Sequence, residues 1–292
     1  MKIMVNGSVY EDKEAVISVY DHGFLYGIGL FETFRTYEGN PFLLSQHLDR
    51  MRLGCAELGI QLHLDEQRLR RQIAALLQEN SLQDAYFRYT ISAGIDLLGL
   101  PGGDYQEPTE VLHIKPLPPR DQRIYSQGKS LQLLKLPRNT PEGLVRFKSL
   151  HYMNNILAKR ELQSYPWADG AEGLFLTEEG FLAEGIVSNL FFIKEAVCYT
   201  PSLETGILPG ITRSFVMREA EQISISVHEG YFGWDDLLQA DEVFITNSIQ
   251  EIVPITRIFT VNGDRYTVGA GMPGNHTLML INLYQGRIGR SL

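Results

Sequence analysis

Cysteine is nearly absent from this chain: Cys55 and Cys198 are the only two among 292 residues. Two thiols cannot build a disulfide framework, and neither sits at a metal-ligand spacing, so no metal is expected. No run of about 18 apolar residues occurs either, which leaves no membrane-spanning helix to expect. At the N-terminus, MKIMVNGSVYEDKE meets acidic residues before an apolar core can form. No signal peptide is read there, and a cytoplasmic setting is expected. Positive charge is also in short supply. Lys and Arg number 26 against 35 Asp and Glu, a formal net charge of −9. Binding along a nucleic acid needs clustered Lys and Arg to neutralise phosphates, so a general nucleic-acid binder is excluded. A local basic pocket for one small anion is not.

What is present suits a soluble globular protein, long enough for one large domain or two modest ones with a sizeable core. Ser45 to Ile60 puts Leu48, Met51, Cys55 and Leu58 on one helical face, with Ser45 as the expected cap. Asp65 is the expected cap of a second helix with the stripe Leu69, Ile73, Leu76 and Leu77. Phe87, Tyr89 and Ile91 then alternate with Arg88, Thr90 and Ser92, a strand that turns Arg88 to the opposite face. Another strand is read at Glu110–Lys115.

Three prolines in Lys115–Asp121 stop regular structure, so residues 116–124 read as a linker. A smaller α/β domain is expected over 1–115 and a larger one over 125–292. In the larger, strands are expected at Gly173–Thr177, Asn189–Ile193 and Glu242–Thr246. Thr212 opens a helix with Phe215, Val216 and Ile223 as apolar positions, and Arg213 reads as exposed on it. Asn262–Gly263 marks a hairpin. Leu278, Leu280 and Leu283 predict a closing helix. The class is α+β, and a cleft is a common ligand site in such chains.

Four segments carry chemistry. In Arg146-Phe-Lys-Ser-Leu-His-Tyr-Met-Asn-Asn155, Phe147 and Leu150 flank Lys148 with apolar surface. Read alone, Lys148 is either a solvated charge or an amine whose proton partial desolvation and nearby cations make easy to lose. Glu184, in Ala183-Glu-Gly-Ile-Val-Ser-Asn-Leu-Phe-Phe192, is either a strand-end carboxylate facing water or a buried one that needs a partner. Gly206-Ile-Leu-Pro-Gly-Ile-Thr-Arg213 feeds a helix start, where unpaired N–H groups and the dipole favour a phosphate. The fourth is a pair: Arg50, which follows Gln46-His-Leu-Asp on the first helix, and Thr246-Asn-Ser-Ile-Gln-Glu-Ile-Val-Pro254, which begins at the end of the expected Glu242–Thr246 strand.

The run K-S-x-x-Y-x-N-N from Lys148 resembles the cofactor-lysine segment of the fold-type IV pyridoxal-phosphate (PLP) enzymes. That group includes branched-chain aminotransferases, D-amino acid aminotransferases and 4-amino-4-deoxychorismate lyases. E-G-x-x-S-N-L-F from Glu184, G-I-x-x-G-I-T-R from Gly206 and H-x-x-R ending at Arg50 resemble further motifs of the same group, in the same order. The resemblance runs from Val5 to about Ile258. It implies a two-domain fold of the D-amino acid aminotransferase-like kind, PLP as cofactor and a homodimer. Lys148 would carry the cofactor and shuttle protons, and Glu184 would face the pyridine nitrogen. Arg50, Ile211, Thr212 and Ser248 would hold the phosphate. Tyr152 would lie near the phenolic oxygen, or else pack as an ordinary helix tyrosine. Asn189, Glu251 and His22 read as structural.

Three details lean toward the lyases. Phe31-Glu-Thr-Phe-Arg35 has Thr33 where branched-chain aminotransferases carry glycine, and Ser188-Asn189 replaces their Glu-Asn. Pro137-Arg-Asn-Thr-Pro-Glu-Gly143 is similar to the lyases of Gram-positive bacteria. The implied reaction turns 4-amino-4-deoxychorismate into 4-aminobenzoate and pyruvate, with a D-amino or branched-chain aminotransferase as the alternative. A substrate with two carboxylates needs cations, for which Arg35 and Arg88 are the candidates. Tyr26 is the candidate to pack on its ring.

Overall fold

In a computed structural model, which describes residues 1–288, the α+β chain divides into two compact units. One comprises Met1–Pro119 and Phe147–His151; the other holds Arg120–Arg146 and residues 152–288.

In the first unit, β1 (Lys2–Val5) and β2 (Ser8–Glu11) form a hairpin, and α1 (His22–Tyr26) leads into β3 (Gly29–Tyr37) and β4 (Asn40–Pro41). Helices α2 (Leu44–Glu57) and α3 (Glu66–Glu79) follow, then β5 (Ala85–Ser92) and β6 (Thr109–Pro116). The sheet order is β2-β1-β6-β5-β3-β4. Period-2 alternation sends Phe87, Tyr89 and Ile91 into one core with Leu48 and Met51 of α2 and Ile73 and Leu76 of α3. Thr33, Arg88 and His113 are register partners and share the other face.

Asp65 caps α3, accepting from the backbone N–H of Gln67 at 2.9 Å and of Arg68 at 3.2 Å. Ser45 does not cap α2. The helix starts at Leu44 behind Leu43, which has a left-handed φ of 54° and no side-chain cap bond. Burial of Leu44 in the core draws the start two residues toward the N-terminus, and Glu66 takes the Ser45 hydroxyl instead, at 2.9 Å. Leu58, expected on the buried face, is the C-cap and only half-buried.

The second unit contains α4 (Gln122–Gln127), β7 (Lys129–Leu133), α5 (Met153–Gln163), β8 (Glu172–Leu176), β9 (Leu182–Gly185), β10 (Asn189–Lys194) and β11 (Val197–Pro201). It continues with α6 (Ile211–Gln222), β12 (Val227–Gly230), α7 (Trp234–Leu238), β13 (Glu242–Asn247), β14 (Glu251–Phe259), β15 (Arg265–Thr267) and α8 (Asn275–Ile288). Strands β10, β13, β14, β7, β8 and β9 follow one another, and β9 pairs back to β10 to close a ring. Leu131, Leu174, Leu190, Val243 and Val253, one from each of five of these strands, meet in its core.

A single crossing at 116–124 does not describe the chain. Helix α4 begins inside that stretch, and Phe147–His151 belongs with the first unit. The cause is backbone pairing along the open edge of β3. Phe31 N–H donates to the Lys148 carbonyl at 2.9 Å, and Leu150 N–H donates to the Gly29 carbonyl at 3.0 Å. Arg213, expected exposed, is buried: its guanidinium reaches the Pro201 carbonyl at 2.9 Å and pairs with Glu229. These partners sit on β11 and β12, and α6 packs against β12.

Replacing Asp65 by Ala is expected to lower stability to urea by about 1 kcal/mol, the ordinary cost of losing a cap, with Asp65→Asn restoring most of it. Equal loss in both variants would show that the side chain does not act as a cap.

Candidate active site

Lys148 is pinned through its backbone at the edge of β3, while its amine lies 4.6 Å from the centroid of the Phe31 ring. The Arg88 guanidinium lies over the same ring at 3.5 Å. An aromatic face attracts cations without neutralising them, so Phe31 gathers two positive groups in one place. Arg88 also donates to the Thr90 hydroxyl at 3.3 Å. Arg35, two residues beyond Thr33 on the same strand, stacks its guanidinium over Tyr37 at 4.4 Å. Tyr26 is exposed on α1, where its hydroxyl accepts from Gly99 N–H at 2.8 Å. His22 is buried between the Tyr105 hydroxyl and the Leu97 carbonyl, both at 2.9 Å.

Arg50 lies on α2, three residues after His47, so both side chains leave the helix on one side. Both meet Glu32 of β3, a buried carboxylate. Arg50 donates from Nε to Oε1 at 2.8 Å and from Nη2 to Oε2 at 2.6 Å; His47 Nδ1 lies 2.6 Å from Oε2. Burial pushes the Glu32 carboxyl up, but the Arg50 charge and the His47 contact outweigh it and bring it down to about 2. Burial dominates at His47 and lowers it below the usual imidazole value, against the opposing pull of Glu32. The Arg50 charge is the largest pull that keeps Glu32 ionised, and the carboxylate accepts from His47.

In the second unit, β8 and β9 lose register between the pairs Leu174–Gly185 and Leu176–Leu182. Ala183 and Glu184 together face Phe175, a bulge, and bulges re-aim side chains. Glu184 is then the register partner of Asn189, and Asn189 of Thr246, so three polar side chains share one face across three strands. Buried Glu184 accepts from Arg138 Nε at 2.8 Å and from Leu208 N–H at 3.0 Å. Arg146 Nε stands 3.8 Å away, and burial beside Arg138 pulls its guanidinium down to about 10 against the opposing pull of Glu184 and Glu142. Asn189 ties the row to the next segment by donating to the Leu208 carbonyl at 2.9 Å.

That segment opens α6. Gly210 is its N-cap with no side-chain cap bond, and a Cβ there would collide with Asn189. Only glycine lets the chain pass so close. Ile211 and Thr212 occupy the first turn, where unpaired N–H groups gather. The Thr212 hydroxyl lies 3.4 Å from that of Ser248, just past the end of β13. Tyr152 sits at the start of α5, half-buried, as its N-cap residue.

Residues 29–258 match the family described as amino-transferase class IV. The chain belongs to this family. It is 45% identical to the aminodeoxychorismate lyase of Bacillus subtilis (strain 168) over 262 residues, 89% of this chain and 87% of that protein. A 4-amino-4-deoxychorismate lyase structure from Pseudomonas aeruginosa superposes with a TM-score of 0.82 at 28% identity, covering 97% of this chain and 98% of the other. A branched-chain amino acid aminotransferase from T.th., solved with pyridoxamine 5′-phosphate, gives 0.84 at 28% identity, covering 98% and 93%.

The residues of this class IV chain fit a ligand that carries a phosphate and an aromatic nitrogen. The start of α6, with the hydroxyls of Thr212 and Ser248 beside it, suits an anion. A buried carboxylate held by Arg138 suits a protonated ring nitrogen. The Thr246 hydroxyl, buried on the Glu184–Asn189 face, has no hydrogen-bond partner among the described residues. Glu32, His47, Arg138 and Arg146 were not singled out from the sequence, although each lies inside or beside a recognised motif. Nothing in a motif says which buried charges will meet.

Because the Glu32 carboxyl titrates near 2 in the fold and at 4.5 when unperturbed, its stabilisation is complete above pH 4.5 and disappears as pH falls toward 2. The difference corresponds to roughly 3 kcal/mol. Acid unfolding of Glu32→Gln is expected to depend less steeply on pH over that window; an unchanged profile would remove Glu32 from the acid transition.

Proposed function

We propose that this chain is a PLP-dependent carbon–oxygen lyase that converts 4-amino-4-deoxychorismate to 4-aminobenzoate and pyruvate, a step of folate synthesis. The observation that carries it is the 45% identity to the Bacillus subtilis lyase across 89% of the chain. Thr33 supports it, standing where branched-chain aminotransferases carry glycine, on the sheet face of Arg88.

PLP, when bound, supplies an electron sink conjugated to the amine-bearing carbon of the substrate. Lys148 is assigned to carry it and to move the proton at that carbon. The Lys148 carbonyl accepts from Phe31 N–H and Leu150 N–H donates to the Gly29 carbonyl, which hold the segment in place. The four methylenes of Lys148 give the amine the travel that proton transfer needs. Glu184 is assigned to the pyridine nitrogen, with Arg138 at 2.8 Å offsetting the cost of a buried carboxylate. The N–H group of Ile211, the hydroxyls of Thr212 and Ser248, and Arg50 are assigned to the phosphate. Tyr152 is assigned to the cofactor's phenolic oxygen. Arg88 and Arg35 are assigned to the substrate carboxylates, and Tyr26 to its ring.

We read the working form as a cytoplasmic homodimer that takes small-molecule substrates and neither nucleic acid nor membrane. Val16, Val19, Phe24, Leu97, Leu98 and Leu100 leave the first unit with exposed apolar side chains that a second copy would cover. Both cysteines are buried thiols, which suits a reducing compartment. The alternative, an aminotransferase acting on D-amino or branched-chain substrates, is favoured by the likeness to the aminotransferase solved with pyridoxamine 5′-phosphate.

The test is to give the PLP-loaded protein aminodeoxychorismate and follow 4-aminobenzoate fluorescence and pyruvate together. Equal formation of both, reduced at least about a thousandfold in Lys148→Ala, is expected. Glu184→Ala should still bind PLP but turn over about a hundredfold more slowly. Absence of product, with pyridoxamine phosphate accumulating from D-alanine or leucine, would move the chain to the aminotransferases.

A further inference from the structure

Glu32 has no part in the reaction as assigned, yet it is a buried acid on the helix-facing side of β3. Packing does not explain it. A buried ion pair seldom adds net stability over a hydrophobic group of similar volume, because desolvation consumes the Coulombic gain. What such a pair does supply is direction. Both carboxylate oxygens are engaged by the Nε–Nη2 edge of Arg50, the bidentate geometry that fixes the plane of a guanidinium. His47 then restrains the carboxylate itself, 2.6 Å from the oxygen that Arg50 Nη2 also uses. An ionised carboxylate only accepts, so His47 donates from Nδ1 and its tautomer is set.

We infer that Glu32, backed by His47, is a positioning residue that aims the guanidinium of Arg50 at the cofactor's phosphate. This rests on the assignment of Arg50 to that phosphate. Arginine has a long stem with large rotamer entropy, and a guanidinium held in advance loses less of it when an anion arrives. Glu32 has a second effect. It sets a negative charge against the half-buried Arg50 in a unit that also presents Lys148 and Arg88 to the Phe31 ring.

The experiment titrates the full-length apoprotein with PLP, reading the absorbance of the bound cofactor and the ³¹P resonance of its phosphate. Glu32→Gln is expected to raise the PLP dissociation constant roughly tenfold, the loss of one oriented charge-assisted contact, and to shift the ³¹P signal. Arg50→Ala should raise it further, and Glu32→Gln added to Arg50→Ala should change nothing more. Should Glu32→Gln not fold, Glu32→Asp keeps the charge but shortens the reach, and the same weakening and the same silence beside Arg50→Ala are expected. A dissociation constant unmoved by either Glu32 variant, or an equal loss with and without Arg50, overturns the inference. If Arg50→Ala itself binds PLP as tightly as the parent, the assignment of Arg50 to the phosphate falls first, and the inference with it.

Discussion

The pairing of Phe147–His151 with the open edge of β3 is the contact on which the candidate site depends. It is made of backbone groups, Phe31 N–H to the Lys148 carbonyl and Leu150 N–H to the Gly29 carbonyl. It takes the chain out of the second unit for five residues and returns it at Tyr152. Edge strands expose unpaired N–H and C=O groups and usually have to be protected. Here the exposed edge is covered by the segment that bears Lys148. The amine is thereby delivered to Phe31 and Arg88, groups on a strand pair more than fifty residues earlier in the chain.

A second constraint is the handling of buried charge. Glu32 in one unit and Glu184 in the other are buried carboxylates in site motifs, and each is supplied with arginine. Glu32 meets Arg50 and His47; Glu184 meets Arg138, a backbone N–H and, more distantly, Arg146. These pairs follow the rule that a carboxylate leaves water only with partners in place. They also make both clusters sensitive to single truncations, since removing one member strands the other.

Secondary structure was largely legible because period and capping are local. The Asp65 cap, the alternation through Phe87, Tyr89 and Ile91, and the Gly210–Thr212 helix start are written in adjacent residues. Ser45 misled because a hydroxyl near a helix start looks like a cap until a distant acid, Glu66, takes it. Arg213 misled in the same way: a charged residue after a helix start reads as solvated, and its partners Pro201 and Glu229 come from strands that only the fold brings near.

By itself the sequence determined the element types, the α+β class, the family and the order of the motifs. Each is carried by residues within a few positions of one another. Only the tertiary structure decided that Lys148 sits on the edge of β3, that a bulge turns Glu184 onto the face of Asn189 and Thr246, and that Glu32 holds Arg50. These are pairings across long stretches of chain. They are selected by what each buried polar group must find once water is gone, a condition that exists only after the elements have packed.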